Sequence, residues 1–375
     1  MTKEVWTIQR LLDWSKQFFE DKGLDSPALD AQILLGHVLN MSRMQLILDA
    51  KRPMTDEELA QYKAVAIRRV KERQPIAYIL GQKEFWSLDL EVTPDVLIPR
   101  PDTECLVEHA LKFIAAKREG RAVAQQTKKL VYEPIDERDA YYQTLEAVEK
   151  AREWAGDENL DDNEQSGLWK KEVEENIDTE YTDIDTENTD IKCHGENIEC
   201  LSSDWVQKYR IVDVGTGSGA IALALRSELP SDCEVCAVDI SPAALEVARR
   251  NADKNGLKVS FGISDLLQSC DGMFDMIVSN PPYITTAEMK DLAPEVKNEP
   301  RLALEAGADG LDIYRRLVPQ AFGKLKPGGA LLVEIGCSQG DAVSALLGDA
   351  GFVDVQVYKD YGRNPRVVMG IKGGE

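Results

Sequence analysis

The chain has 375 residues, 43% of them hydrophobic, and its 44 Lys and Arg against 66 Asp and Glu give a formal net charge of −22. That length is enough for more than one domain, while the longest central stretch without a charge, Val214 to Leu225, falls far short of the roughly 18 apolar residues of a membrane span. So acidic a chain repels phosphate backbones unless it carries a local basic groove, and seven scattered cysteines read as free thiols rather than a disulfide framework.

The first residues, Met1 to Trp6, include the acidic Glu4 and have no apolar run of the secretory kind, so the expected compartment is the cytoplasm. From Thr7 to about Arg73 apolar residues recur at helical spacing, as in Ile8, Leu11, Leu12 and then Leu59, Tyr62, Ala66, Val70. Ser26-Pro27 marks a helix start, and Ser42-x-x-Gln45 and Thr55-x-x-Glu58 read as capping boxes. Between Gly81 and Pro101 the pattern becomes alternating, through Phe85, Ser87, Leu88, Leu90 and Val92, which predicts a hairpin leading into a helix from about Asp102 to Lys117. The expected divisions are a helical domain at 1–78, a hairpin and linking helix at 79–118, an insertion at 119–208 and a catalytic domain at 209–375. Residues 121–208 hold 24 acidic and 10 basic residues, so these 88 positions carry −14 of the −22. Such a composition buries too little apolar area to order itself throughout, and predicts a partly disordered insertion, with a short helix from Tyr141 to Trp154. From Arg210 onward strands and helices alternate, with strands at Ile211–Val214, Val235–Val238, Val259–Ile263, Met276–Ser279, Ala330–Ile335, Val353–Tyr358 and Val367–Gly370. Apolar runs between helices indicate strands buried on both faces, hence a doubly wound α/β domain.

The chemistry concentrates at three strand ends. Asp213-Val214-Gly215-Thr216-Gly217-Ser218-Gly219 follows the first strand and opens a helix from Ala220 to Glu228, and its glycines let backbone approach a ligand closely. About twenty residues on, Asp239 ends the second strand, where a carboxylate can accept both ribose hydroxyls of an adenosine. The loop lacks the dinucleotide spacing, and its ligand could be a dinucleotide or S-adenosylmethionine. Ser264-Asp265-Leu266 after the third strand is placed to reach an adenine. The fourth strand ends in Asn280-Pro281-Pro282-Tyr283, where two prolines fix φ and remove two backbone donors. The Asn280 side-chain oxygen and the Pro281 carbonyl can accept both hydrogens of a planar –NH2 group while Tyr283 stacks on its flat face. Held this way, a delocalised nitrogen becomes a usable nucleophile for a methyl carbon without a general base.

Asn-Pro-Pro-Tyr in this position resembles the signature of methyltransferases acting on –NH2 groups. Together with Glu84-Phe85-Trp86, Val96-Leu97-Ile98-Pro99-Arg100-Pro101-Asp102-Thr103-Glu104, Glu299-Pro300-Arg301-Leu302-Ala303-Leu304 and Gly310-Leu311, it closely resembles the HemK/PrmC family of release-factor glutamine methyltransferases. The resemblance covers roughly 5–117 and 208–371. It implies a class I S-adenosylmethionine-dependent methyltransferase fold, Rossmann-like, with a seven-stranded mostly parallel sheet, a small N-terminal helical domain and a hairpin connector. It also implies methylation of the glutamine side-chain amide in the Gly-Gly-Gln tripeptide of peptide chain release factors, with S-adenosylhomocysteine as product. Carried over by position, Gly215, Thr216, Gly217, Ser218, Gly219, Asp239, Asp265, Leu266 and Asn280 would hold the cofactor. Asn280, Pro281, Pro282 and Tyr283 would hold the glutamine, with Asn280, Pro281 and Tyr283 catalytic. Where many relatives have a bulky aromatic after the Asp265 position this chain has Leu266, which leaves a backbone contact to the adenine. Arg100 and Glu104 are expected near the cofactor mouth in a supporting role, and the helical domain is expected to recognise the release factor.

Other signals weigh less. Cys233-Glu234-Val235-Cys236 lies on a strand, where its thiols face opposite ways; Cys193, His194 and Cys200 lack a fourth metal ligand; His37 and His109 sit in helical patterns; Phe85 and Trp86 could line a substrate channel or pack the hairpin. No metal, no membrane, no direct nucleic-acid contact and a monomer are expected. Two other functions compete, an adenine-amino DNA methyltransferase and a non-catalytic S-adenosylmethionine-binding scaffold. The short basic runs Arg68-Arg69-Val70-Lys71 and Arg249-Arg250 make no DNA groove, and a scaffold has no use for a rigid acceptor array.

Overall fold

Thr7, Ser42 and Thr55 cap helices through side-chain oxygens that accept a backbone N–H inside the first turn. The computed structural model describes residues 5–120 and 209–374. The acidic insertion, the Tyr141–Trp154 helix and the Cys193, His194 and Cys200 group lie outside the described residues. Helices α1 (Ile8–Asp21), α2 (Pro27–Leu39), α3 (Arg43–Leu48), α4 (Asp56–Lys71) and α5 (Ile76–Leu80) come first. Both capping boxes form, Ser42 with Gln45 and Thr55 with Glu58, while Ser26 makes no side-chain cap and Pro27 alone starts α2. Their apolar faces share a core that includes Ile8, Phe19, Leu34, Leu35, Leu46 and Tyr62.

Strands β1 (Gln82–Phe85) and β2 (Leu88–Glu91) form the hairpin. Trp86 and Ser87 make its two-residue loop at φ 53° and 57°, the mirror-image turn that matches strand twist. Ser87 is therefore in the turn, not on a strand. Asn251, fully buried, fastens this hairpin to the glycine loop: its Oδ1 accepts the Glu91 N–H at 2.6 Å, and its Nδ2 donates to the carbonyls of Glu91 and Ser218, each at 2.9 Å.

Helix α6 (Glu104–Arg118) leads to the sheet domain: β3 (Tyr209–Val214), α7 (Ala220–Glu228), β4 (Cys233–Asp239), α8 (Pro242–Lys254), β5 (Ser260–Ile263), β6 (Phe274–Ser279), α9 (Asp312–Lys324), β7 (Leu325–Glu334), α10 (Gly340–Asp349), β8 (Phe352–Lys359) and β9 (Pro365–Lys372). The strand order is β5-β4-β3-β6-β7-β9-β8, with β9 antiparallel to both its neighbours and the others parallel. All seven strands and the mostly parallel sheet read from the sequence are present. The chain leaves β3 toward β4 on one side and returns to β6 on the other, so the crevice of the sheet opens above the C-terminal ends of these strands. Two apolar layers cover the faces, one under α6 and α7, the other under α9 and α10.

Helix α6 ends beside the start of β3. The Arg118 guanidinium donates to Asp232 Oδ2 at 3.1 Å, and the Tyr209 N–H donates to the Asp232 carbonyl at 3.0 Å. Replacing residues 121–206 by a short Gly/Ser linker is thus expected to preserve the fold, since the flanks already meet and closure entropy grows only with the logarithm of length. Circular dichroism and thermal melting check this; a variant that failed to fold would make the acidic segment part of the catalytic domain.

Candidate functional site

A cavity of about 220 Å³ lies at the ends of β3, β4 and β6. Its wall brings together Gly215, Thr216, Gly217 and Ser218 from the glycine loop, Asp239 from β4, Asp265 and Leu266 from the turn after β5, and Asn280, Pro281 and Pro282 from the end of β6. The roof comes from the hairpin side, with Val96, Leu97, Pro99, Arg100 and Thr103, and from Pro300, Leu302 and Ala303.

The glycines divide into two roles. Gly215, Gly217 and Gly219 all have positive φ, at 71°, 55° and 85°. A Cβ at Gly215 or Gly217 would meet no protein atom within 4 Å, whereas one at Gly219 would lie 3.2 Å from the Ala248 Cβ and 3.3 Å from Leu223 Cδ1. The first two leave an open cradle and the third allows α7 to approach α8. The loop is held by its own strands: Gly215 and Thr216 N–H groups donate to the Val238 carbonyl, and the Ser279 hydroxyl donates to the Val214 carbonyl at 2.7 Å.

Two carboxylates lie beneath this cradle. Asp239 accepts the N–H of Gly217 at 2.8 Å and of Ser241 at 2.9 Å, and burial raises its pKa despite these donors. Its remaining lone pairs are free for hydroxyl donors. Asp213 is fully buried; Oδ2 accepts from the Thr216 hydroxyl at 2.7 Å and the Ala222 N–H at 3.2 Å, while Oδ1 has no partner. Burial lifts this carboxyl to about 7. An open glycine cradle, a ribose-ready acid and a buried carboxyl with one unpartnered oxygen fit a ligand that combines an adenosine with a cationic tail.

Asp265 sits on the rim, its Oδ2 accepting from Arg316 at 2.6 Å and from Gln268 at 3.3 Å. Leu266 is half-buried at φ 54°, a left-handed conformation that costs a branched side chain about 1 kcal/mol. Asn280 donates through Nδ2 to Thr103 Oγ1 at 3.2 Å.

Tyr283 is a difference from expectation. It is absent from the cavity wall; its carbonyl accepts from Gln339 Nε2 at 3.0 Å and its ring packs beside Gly336, with burial pushing the phenol up to about 12. Arg100 does reach the cavity, where it pairs with the buried Glu299, whose other oxygen accepts the Ile98 N–H at 3.1 Å. Glu104 instead accepts the Trp86 N–H under the hairpin turn at 3.2 Å. Phe85 is core, and Trp86 Nε1 donates to Glu228 at 3.0 Å, so neither lines the cavity. His109 stacks on Tyr358 and burial lowers its pKa to about 4. Cys233 and Cys236 lie on β4, three positions apart. Two residues beside Asn280 carry no sequence signature of a site role: Thr103, and Glu334, 1% exposed at the end of β7. The one hint of Glu334 is a single acid inside the apolar run Ala330 to Ile335.

Among the described residues no helix is long and apolar enough to cross a membrane. Residues 10–81 match the model of the PrmC N-terminal domain, and residues 197–349 that of the methyltransferase small domain. Curated relatives include the release factor glutamine methyltransferases of Geobacter sulfurreducens, 34% identical over 98% of this chain and 97% of that one, and of Moorella thermoacetica, 35% identical over 98% of this chain and 100% of that one. The enzyme of the same name from Escherichia coli is 34% identical over 92% of each chain.

Proposed function

Because the chain belongs to the release factor glutamine methyltransferases, we propose that it transfers a methyl group from S-adenosylmethionine to the side-chain amide nitrogen of the Gly-Gly-Gln glutamine of peptide chain release factors. The observation that carries this is the meeting of Asn280, Pro281 and Pro282 with the glycine cradle and Asp239 in one cavity. When bound, S-adenosylmethionine supplies an electrophilic methyl carbon on a sulfonium sulfur. Gly215, Thr216, Gly217 and Ser218 would cradle its amino-acid portion, with Gly219 packing α7 against α8 behind them rather than lining the cavity, Asp239 would accept from its ribose, and the Asp265-Leu266 turn would flank its adenine. Asn280 Oδ1 and the Pro281 carbonyl would accept the two amide hydrogens of the glutamine and turn its nitrogen lone pair toward the methyl carbon. Tyr283, which does not line the cavity, would need to swing toward it to stack on that amide.

The helical segment 1–78 is the proposed seat for the body of the release factor. It is tied to the cavity wall: buried Arg69 donates to Asp30 at 2.7 Å and to Glu295 at 2.8 Å, and Asn298 Nδ2 donates to the carbonyls of Glu72 and Arg73. Glu295 and Asn298 lie just before Pro300, Leu302 and Ala303 of the roof. A cytoplasmic monomer that touches no nucleic acid directly completes the reading.

Transfer of labelled methyl groups to purified release factor, with DNA as the comparison substrate and peptide mapping of the product, tests it. Label is expected on the Gly-Gly-Gln glutamine; label on adenine in DNA, with none on release factor, would overturn it.

A further inference from the structure

Glu334 follows Val333, the β7 residue paired with Ser279, so the strand register sets it beside Asn280. It is 1% exposed and its Oε2 has no hydrogen-bond partner. A buried carboxylate left in this state destabilises the fold, and nothing in the binding scheme above uses it. The donors that face it are the Thr103 hydroxyl and the Asn280 amide. Thr103 in turn accepts from Asn280 Nδ2 at 3.2 Å.

We infer that Glu334 and Thr103 together decide which end of the Asn280 side-chain amide faces the substrate. An ionised carboxylate only accepts, so the single Thr103 O–H is directed to it, and the Thr103 oxygen is left to accept from Asn280. With its nitrogen held in this chain, Asn280 presents Oδ1 to the cavity. A reversed amide would set –NH2 against the –NH2 of the glutamine and hold nothing. Both are positioning residues acting through Asn280, and the inference rests on the proposed role of Asn280 as acceptor.

Protonating Glu334 would give it a donor to offer Thr103, which could then donate to Asn280 Oδ1 and turn the Asn280 –NH2 outward. Burial raises the Glu334 carboxyl to about 7 against the pull of Thr103, Arg366 and Asn280. The titratable and charged groups facing it are Asp102 from the turn before α6, Cys105 from α6, Tyr283 from the loop after β6, Tyr314 from α9 and Arg366 from β9. Methyl transfer should fall as pH drops through about 7.

The test is single-turnover methyl transfer by the full chain to release factor at saturating S-adenosylmethionine, from mildly acidic to mildly alkaline pH. Thr103→Val keeps the shape and loses the hydroxyl, and is expected to slow transfer by about tenfold or more, whereas Thr103→Ser keeps the hydroxyl and should stay within about threefold of the parent. Glu334→Gln should flatten the inflection near neutral pH, leaving only what Asp213, also near 7, contributes. Calorimetry should find cofactor affinity within about threefold of the parent in all three, since none removes a proposed cofactor contact. If Thr103→Val were as fast as Thr103→Ser while Asn280→Ala remained slow, this inference would fall and the role of Asn280 would stand. An unimpaired Asn280→Ala would overturn that role instead. Should Glu334→Gln not fold, the two Thr103 variants decide the matter.

Discussion

Asn280→Ala is expected to slow single-turnover methyl transfer by about 100-fold or more, the scale found when one preorganised hydrogen-bonding group is taken from a developing charge. The wall around Asn280 is made rigid by its own chemistry. Pro281 and Pro282 carry no N–H to compete for the ligand, and the preceding Ser279 is buried and fixed to the Val214 carbonyl at 2.7 Å. Folding should be affected far less, because the side chain is half-buried and its loss removes one hydrogen bond to Thr103, worth about 0.5–1.5 kcal/mol. Rapid-quench measurement of the bound complex separates the chemical step from affinity, which calorimetry reports independently. A variant within about threefold of the parent, less than 1 kcal/mol of barrier, would remove Asn280 from the chemistry.

The parts of the molecule visible in the sequence are those set by short-range patterns. A short apolar run such as Met276 to Val278, closed by Ser279, marks a strand buried on both faces, and the glycine at 219 followed by Ala220 to Glu228 gives both ends of α7. The strand-end residues of the site were legible for the same reason, since a doubly wound sheet delivers the C-terminal ends of neighbouring strands to one crevice. What stayed hidden depends on long-range pairing. Thr103 and Asn280 are 177 positions apart, and only the register of β6 against β7 makes Glu334 the neighbour of Asn280. The hairpin turn misled for a different reason: Trp86 and Ser87 hold positive φ without glycine or asparagine, so local preference yields to the packing of Phe85 and Leu90 below.

Gly217→Val is expected to weaken S-adenosylmethionine binding by about 3 kcal/mol, roughly 100-fold, the upper range for overfilling a fitted space. The Gly217 Cβ position touches no protein atom within 4 Å, so the side chain added there starts into the cavity, in the way of what enters it. Its φ of 55° is open to glycine and strained for valine, at about 1–2 kcal/mol. That strain weakens the fold modestly and leaves Asp239 without a well-placed Gly217 N–H, now at 2.8 Å. Gly219→Val provides the contrast. Its Cβ would stand 3.2 Å from Ala248 and 3.3 Å from Leu223, so the damage should appear first in stability, as α7 is driven away from α8, rather than as a selective loss of ligand. Thermal melting with and without S-adenosylmethionine reads both quantities. In Gly217→Val the melting point of the free protein should change little while the increase caused by the ligand disappears; in Gly219→Val the melting point of the free protein should fall sharply. A Gly217→Val protein that kept the full ligand-induced increase would show that the cofactor does not lie in this cradle.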